Sequence, residues 1–280
     1  MLEFENVSYY YSKNTPFEKE ALKNISITIK DNMTTGIIGH TGCGKSTLAQ
    51  MMNALIAPTE GKVLLDGKDI NAKDYNTVGV RFDVGLVFQY PEYQLFEETV
   101  YKDISFGPKN MGLSEAEIKE RVKFASGFTG ITDDMLERSP FEISGGQRRR
   151  VAIAGVIAMD PKILVLDEPA AGLDPKGRNE ILSGLVEYRK KRGNSLVIIS
   201  HSMEDIAVYS DEIIAMSNAQ VLMTGTPSEV FSNHKLLTES GLDIPEITSL
   251  LINLKALGYD VDSTCYTVES GYKSIEKLFK

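Results

Sequence analysis

Three short stretches of this chain carry the residue types that chemistry on phosphates requires. The first is Gly39 His40 Thr41 Gly42 Cys43 Gly44 Lys45 Ser46, followed by Thr47. It fills every fixed position of a glycine-rich phosphate loop: backbone N–H groups converge on phosphate oxygens, and the helix start adds its dipole. Lys45 is expected to reach the β- and γ-phosphates, and Ser46 to offer its hydroxyl to Mg²⁺. His40 and Cys43 stand at variable positions and are expected to contribute backbone only. The second stretch is Ile163 Leu164 Val165 Leu166 Asp167 Glu168. Asp167 leaves a buried strand where a carboxylate holds the magnesium shell. Glu168 can orient and polarise a water for in-line attack on a γ-phosphate, with a second magnesium-shell acid as the lesser alternative. The third is Ile143 Ser144 Gly145 Gly146 Gln147, a helix start that forms a second phosphate site with no second loop to serve. It implies a nucleotide shared between two chains.

Two further residues sit at strand ends. His201 follows Leu196 to Ser200, at the C-terminal edge where open α/β sheets bind ligands, and is expected to contact the γ-phosphate and the attacking water. Gln89 ends the run Val84 to Phe88, so it can touch the site, as a ligand in the magnesium shell, while leading into a movable part. A lone histidine is more often structural, and Gln89 alone reads as a surface glutamine.

The elements that must position these residues follow from periodicity. Leu2 to Tyr10, Ile25 to Ile29, Thr35 to Gly39 and Val63 to Leu65 read as strands, the last before a turn at Asp66 Gly67. Ser114 with Glu117 makes a capping box for a helix carrying Ile118, Val122 and Ala125 on one face. A second helix is expected from near Ser144 to before Asp160 Pro161, closing a mainly helical insertion. The chain then returns to α/β alternation: a strand at Ile163 to Leu166, a helix from Pro175 to about Lys191, and a strand at Leu196 to Ser200. Strands at Ile213 to Met216 and Gln220 to Met223 flank a turn at Ser217 Asn218 Ala219. Pro227 and Pro245 each occupy an expected first helical position. Ile247, Leu250, Leu251, Leu254 and Leu257 then form an apolar stripe that packs either on its own domain or on a second subunit. The domain expectation is a nucleotide domain over 1–225, with a helical subdomain at about 90–160, and a helical extension over 226–280.

Composition narrows the class. The net charge of -9 over 280 residues argues against a nucleic-acid footprint. Arg148, Arg149 and Arg150 are consecutive on a helix, point in different directions and read as solvated or ion-paired. Two distant cysteines make no disulfide framework, and the longest apolar stretch, Val151 to Met159, is too short to span a bilayer. The chain is expected in the cytosol unless a partner holds it elsewhere.

In order along the chain, Gly39 to Ser46, Gln89, Ile143 to Gln147, Ile163 to Glu168, Ala171 to Asp174 and His201 resemble the motifs of ATP-binding cassette (ABC) ATPases. The resemblance implies a P-loop α/β core with an antiparallel β part and a helical subdomain. It also implies a head-to-tail dimer with two ATPs, each on one subunit's phosphate loop and capped by the other's Ser144 to Gln147. Asp174 would join the two sites, and Tyr11 would stack on adenine, with Tyr9 and Tyr10 as competitors. The run Val87 to Phe96, with Thr99 to Pro108, is similar to the ATPases of energy-coupling factor (ECF) transporters, most like the second ATPase of a nonidentical pair. That likeness implies uptake of vitamins or transition-metal ions, a transmembrane T component received beside the segment after Gln89, a substrate-binding S component, and a place on the cytoplasmic face of the membrane. Ile143 for leucine and Ala170 for threonine depart from the pattern outside the phosphate contacts. Two rivals are a DNA-acting or other ABC-type ATPase and a non-catalytic ATP binder. The first lacks its long heptad insertion, and the second is opposed by the complete set Lys45, Asp167, Glu168 and His201.

Overall fold

A computed structural model describes residues 1–279, so the expected extension over 226–280 ends one residue outside them, at Lys280. In chain order the elements are β1 (Leu2–Tyr11), β2 (Lys19–Ile29), β3 (Thr34–Gly39), α1 (Lys45–Met52), β4 (Glu60–Leu65), β5 (Lys68–Asp69), α2 (Thr77–Asp83) and β6 (Val84–Val87). The helical stretch follows as α3 (Val100–Asn110), α4 (Glu115–Thr129), α5 (Asp133–Leu136) and α6 (Gly145–Ile157). Then come β7 (Ile163–Asp167), α7 (Pro175–Arg192), β8 (Ser195–Ile199), α8 (Met203–Tyr209), β9 (Glu212–Ser217) and β10 (Gln220–Gly225). The chain closes with α9 (Pro227–Ser232), α10 (His234–Glu239), α11 (Glu246–Ala256) and α12 (Val268–Glu276).

The central sheet runs β10-β9-β3-β8-β7-β6, parallel except for β10, and a smaller antiparallel sheet runs β2-β1-β4-β5. Strand periodicity of two divides the central sheet's side chains between two cores. Ile37, Ile163, Val165, Val197 and Ile199 pack toward α1 and the antiparallel sheet. Ile38, Leu164, Leu166, Leu196 and Ile198 pack on the other face, with the helices of the insertion and α7. A sheet covered on both faces leaves its edges for chemistry, and β3, β8, β7 and β6, neighbours in that order, all end on the same edge.

The helix signals are where the sequence puts them. Ser114 and Glu117 form the expected capping box of α4, and Pro227 takes the first turn of α9; the structure adds two boxes that were not expected, Ser144 with Gln147 at α6 and Thr226 with Glu229 at α9. Pro245 is different: it is the N-cap of α11 rather than its first helical residue, because its ψ of 138° is extended. The apolar stripe is only partly covered. Leu251 is buried and a Cβ on Gly271 would lie 2.2 Å from Ile247, so α11 and α12 meet tightly there, yet Leu250 and Leu257 are exposed. Val230, Phe231, Leu237 and Leu242 join the larger core, which fixes α9 and α10 to the main body.

Candidate functional site

A cleft of about 270 Å³ opens at the shared strand edge. Tyr11, Thr41, Gly42, Gly44, Lys45, Ser46, Thr47, Gln89, Asp167, Glu168 and His201 line it. Each arrives by its own strand: the loop and α1 follow β3, Gln89 lies two residues past β6, Asp167 ends β7, and His201 lies two past β8. Lys19 and Ala21 of β2 close the wall. No spacing in the sequence announced those two.

The loop is tightly specified. Gly44 has φ of 108°, and a Cβ there would meet the Ala21 carbonyl oxygen at 2.4 Å, so any side chain is excluded on both counts. α1 begins at Lys45, so the last two residues of the phosphate loop already belong to the helix. The Lys45 ammonium donates to the carbonyls of Gly39 at 2.7 Å and His40 at 3.1 Å. Ser46 donates to Asp167 at 2.7 Å, which places a hydroxyl and a carboxylate together as a hard oxygen set of the kind Mg²⁺ takes.

Burial dominates the acids. The Asp167 carboxyl is pushed up by burial, against the opposing pull of the Ser46 hydrogen bond and the Lys45 charge. Glu168 is pushed up to about 7, first by burial and then by the neighbouring Asp167 carboxylate. Its backbone is left-handed, with φ of 54°, and its N–H donates to the Ile199 carbonyl at 2.9 Å, which locks the strained residue to β8. Its Oε1 is buried with no hydrogen-bond partner among the described residues. The His201 ring Nε2 lies 3.4 Å from that oxygen, and burial followed by the Lys45 charge pushes the imidazole down. The arrangement can hold an uncommitted acceptor beside a lysine that screens anions.

Of the three tyrosines, Tyr11 reaches the cleft. Its hydroxyl lies 3.0 Å from the Thr47 hydroxyl and its ring stands edge-on to Tyr9 at 4.9 Å, while Tyr10 donates to Glu20. Cys43 is buried and its thiol pushed up by burial, the opposite of a reactive thiolate.

Ser144, Gly145, Gly146, Gln147 and Asp174 do not line the cleft. Ser144 accepts from the Gln147 N–H at 3.3 Å, Gln147 accepts from the Ser144 N–H at 2.9 Å, and Asp174 caps α7 by accepting from Gly177 at 2.6 Å. Behind this helix start, Arg149 is buried and donates twice to Glu92, from Nε at 3.1 Å and Nη2 at 2.9 Å. Arg150 binds the Thr129 carbonyl and Glu180. The ion-paired reading of the arginine run is borne out for both. Glu92 as the partner of Arg149 had no signal in the sequence.

Comparison with known proteins agrees with this geometry. The ABC transporter family profile matches residues 22–171. The energy-coupling factor transporter ATP-binding protein EcfA2 of Caldanaerobacter subterraneus subsp. tengcongensis is 51% identical over 279 residues, covering 100% of this chain and 98% of that protein. Its namesake in Clostridium acetobutylicum is 48% identical over 280 residues, covering 100% and 98%. Among solved structures, cbiO1 of Clostridium perfringens, part of the ABC transporter complex cbiONQ, superposes with a TM-score of 0.76 at 40% identity, covering 89% of this chain and 97% of that one. The ATP-binding cassette MJ0796, solved as a dimer in a post-hydrolysis state with ADP and Pi, superposes at 0.73 with 28% identity over 81% of this chain and 99% of that one. The chain therefore belongs to the ABC transporter family, among the ATP-binding subunits of energy-coupling factor transporters, with the P-loop ABC ATPase fold.

Proposed function

We propose that the chain is the ATP-binding and ATP-hydrolysing subunit of an ECF-type importer that energises uptake of vitamins or transition-metal ions. ATP lies on Gly39 to Thr47 with adenine on Tyr11, and Lys45 holds the β- and γ-phosphates. Ser46 and Asp167, with Gln89, are the residues that would hold Mg²⁺, which when bound screens phosphate charge. Glu168 takes a proton from the water that attacks the γ-phosphorus, and His201 holds the γ-phosphate and that water.

The observation that carries this assignment is the buried Oε1 of Glu168, which accepts no hydrogen bond among the described residues and has the His201 ring 3.4 Å away, in the same cleft as Lys45. An acid near 7 is matched to accepting a proton at neutral pH. Glu168→Gln should retain ATP binding and lower phosphate release about a hundredfold to ten-thousandfold. Substantial residual turnover would remove Glu168 as the base.

Ser144, Gly145, Gly146, Gln147 and Asp174 then serve the ATP of a second, nonidentical ATPase subunit. The exposure of Ser144 and Gly145 supports this, as does the dimeric state in which MJ0796 was solved. The segment after Gln89 presents Tyr90, Tyr93, Phe96 and Phe106 to solvent, an aromatic face suited to helices of a transmembrane T component. Glu92 sits inside that segment, so its grip on Arg149 joins the docking face to the Ser144 helix. A separate S component selects the cargo. Among the described residues no helix is long and apolar enough to cross a membrane, and we place the chain on the cytoplasmic face through these partners.

A further inference from the structure

The cleft accounts for most of the phosphate loop but not for the ring of His40. Its Nδ1 lies 3.0 Å from the Thr41 carbonyl oxygen, and its Nε2 lies 3.3 Å from the backbone N–H of Asn218, a residue 178 positions away. The two contacts together select one tautomer. Nδ1 carries the proton and donates, while Nε2 keeps the lone pair that accepts from Asn218.

Asn218 and Ala219 form the β9–β10 turn, both left-handed, with φ of 50° and 63°. That turn is held from two other sides. The Ala219 carbonyl accepts from Lys23 of β2 at 2.8 Å, and Ser217 donates to the Ser240 carbonyl, beyond α10, at 3.2 Å. On the loop side, the His40 carbonyl accepts from the Cys43 N–H at 3.3 Å and from the Lys45 ammonium at 3.1 Å. One residue thus connects an anchored turn to the loop and its lysine.

We propose that His40 is a positioning residue for nucleotide binding, its ring bracing the start of the phosphate loop against the β9–β10 turn so that the loop keeps the shape that receives phosphates. The proposal rests on the assignment of Gly39 to Ser46 as the ATP loop. A brace reduces the ordering that binding must impose, so it acts on affinity. It leaves the hydrolytic step, which belongs to Glu168, unchanged.

The test is ATP affinity by calorimetry on the full chain, with KM and kcat measured in the assembled ATPase, for His40→Ala, His40→Asn and His40→Gln. A glutamine reaches as far as Nε2 and its amide oxygen can accept from the Asn218 N–H; an asparagine stops short. The Ala and Asn variants should bind ATP about three- to tenfold more weakly, the worth of one net hydrogen bond, with KM raised to match and kcat held within about twofold. Gln should recover the affinity, and nitrogen NMR of the wild-type ring should report the neutral form protonated at Nδ1. Unchanged affinity in the Ala variant, a fall in kcat at constant KM, no advantage of Gln over Asn, or a ring protonated at Nε2 would each overturn the brace. A wild-type chain that binds no ATP would overturn the loop assignment itself, and the brace with it.

Discussion

Two helix starts are assigned to phosphate in our reading of this chain, and they are built in opposite ways. At α1 the loop is enclosed: Lys45 and Thr47 are buried, Ala21 presses on Gly44, and Asp167, Glu168 and His201 converge from neighbouring strands. At α6 the polar groups are turned on each other, Ser144 with Gln147, and the opening residues face solvent. Enclosure is what perturbs the acids at the first site. Self-capping satisfies the second without any other surface. On our assignment, the chain holds one whole phosphate site and half of another.

Removing the support behind α6 should have the largest effect on stability. Arg149→Ala strands the half-buried Glu92 carboxylate and is expected to lower the unfolding free energy by about 3 kcal/mol in urea denaturation, the low end of the range for a fully buried pair. Replacing the pair together, Arg149→Met with Glu92→Leu, should recover most of that. A loss under about 1 kcal/mol in the single variant would mean that α6 is held some other way.

The two glycine positions sharpen the contrast at smaller magnitude. Gly44→Ala meets both the Ala21 carbonyl and a left-handed φ, and should lower stability by about 1–3 kcal/mol in thermal unfolding. At Gly145 a Cβ would meet only the Arg148 guanidinium, at 4.0 Å, so Gly145→Ala should leave stability level or slightly raised. Equal losses at the two positions would erase the distinction between an enclosed and an open helix start.

The pH dependence tests the enclosed site alone. Glu168 holds its proton up to about 7, whereas in the unfolded chain it releases it near the ordinary glutamate value of 4.5. Between these values the folded state binds more protons, so this residue's contribution to stability falls as pH rises through that window. Glu168→Gln should therefore raise the melting temperature by a few degrees at about pH 8 and by less at about pH 5. In the wild type, kcat/KM should show an acid limb near 7, and a flat profile across that range would contradict the assigned base. A modest effect is expected at the turn behind the loop. Ala219→Gly relieves a left-handed alanine and should add about 1 kcal/mol in urea denaturation.

Much of this was legible in the residues because the signals are local. Capping boxes, the phosphate loop and the alternating strands β3, β7 and β8 depend on neighbours a few positions apart, so spacing reveals them. The strand-end positions of Gln89, Asp167 and His201 followed from that periodicity, and the parallel sheet brought them together. What escaped joins residues far apart in sequence: His40 to Asn218, Arg149 to Glu92, and Ala21 to Gly44. His40 stands at a variable loop position, and nothing in its spacing distinguishes a ring that braces from one that only fills. Pro245 shows a smaller limit. The fixed φ of proline suits both an N-cap and a first helical residue, and ψ alone separates them.

The most direct test of the split between the two helix starts is Ser144→Arg, compared with Lys45→Ala. ATP affinity is measured on the full chain alone, and phosphate release in the assembly with its partner ATPase. Ser144→Arg should leave the chain's own ATP affinity unchanged and cut phosphate release in the assembly, whereas Lys45→Ala should weaken binding in the chain itself. If Ser144→Arg weakens ATP binding to the isolated chain as much as Lys45→Ala does, both helix starts serve one nucleotide and the account is wrong.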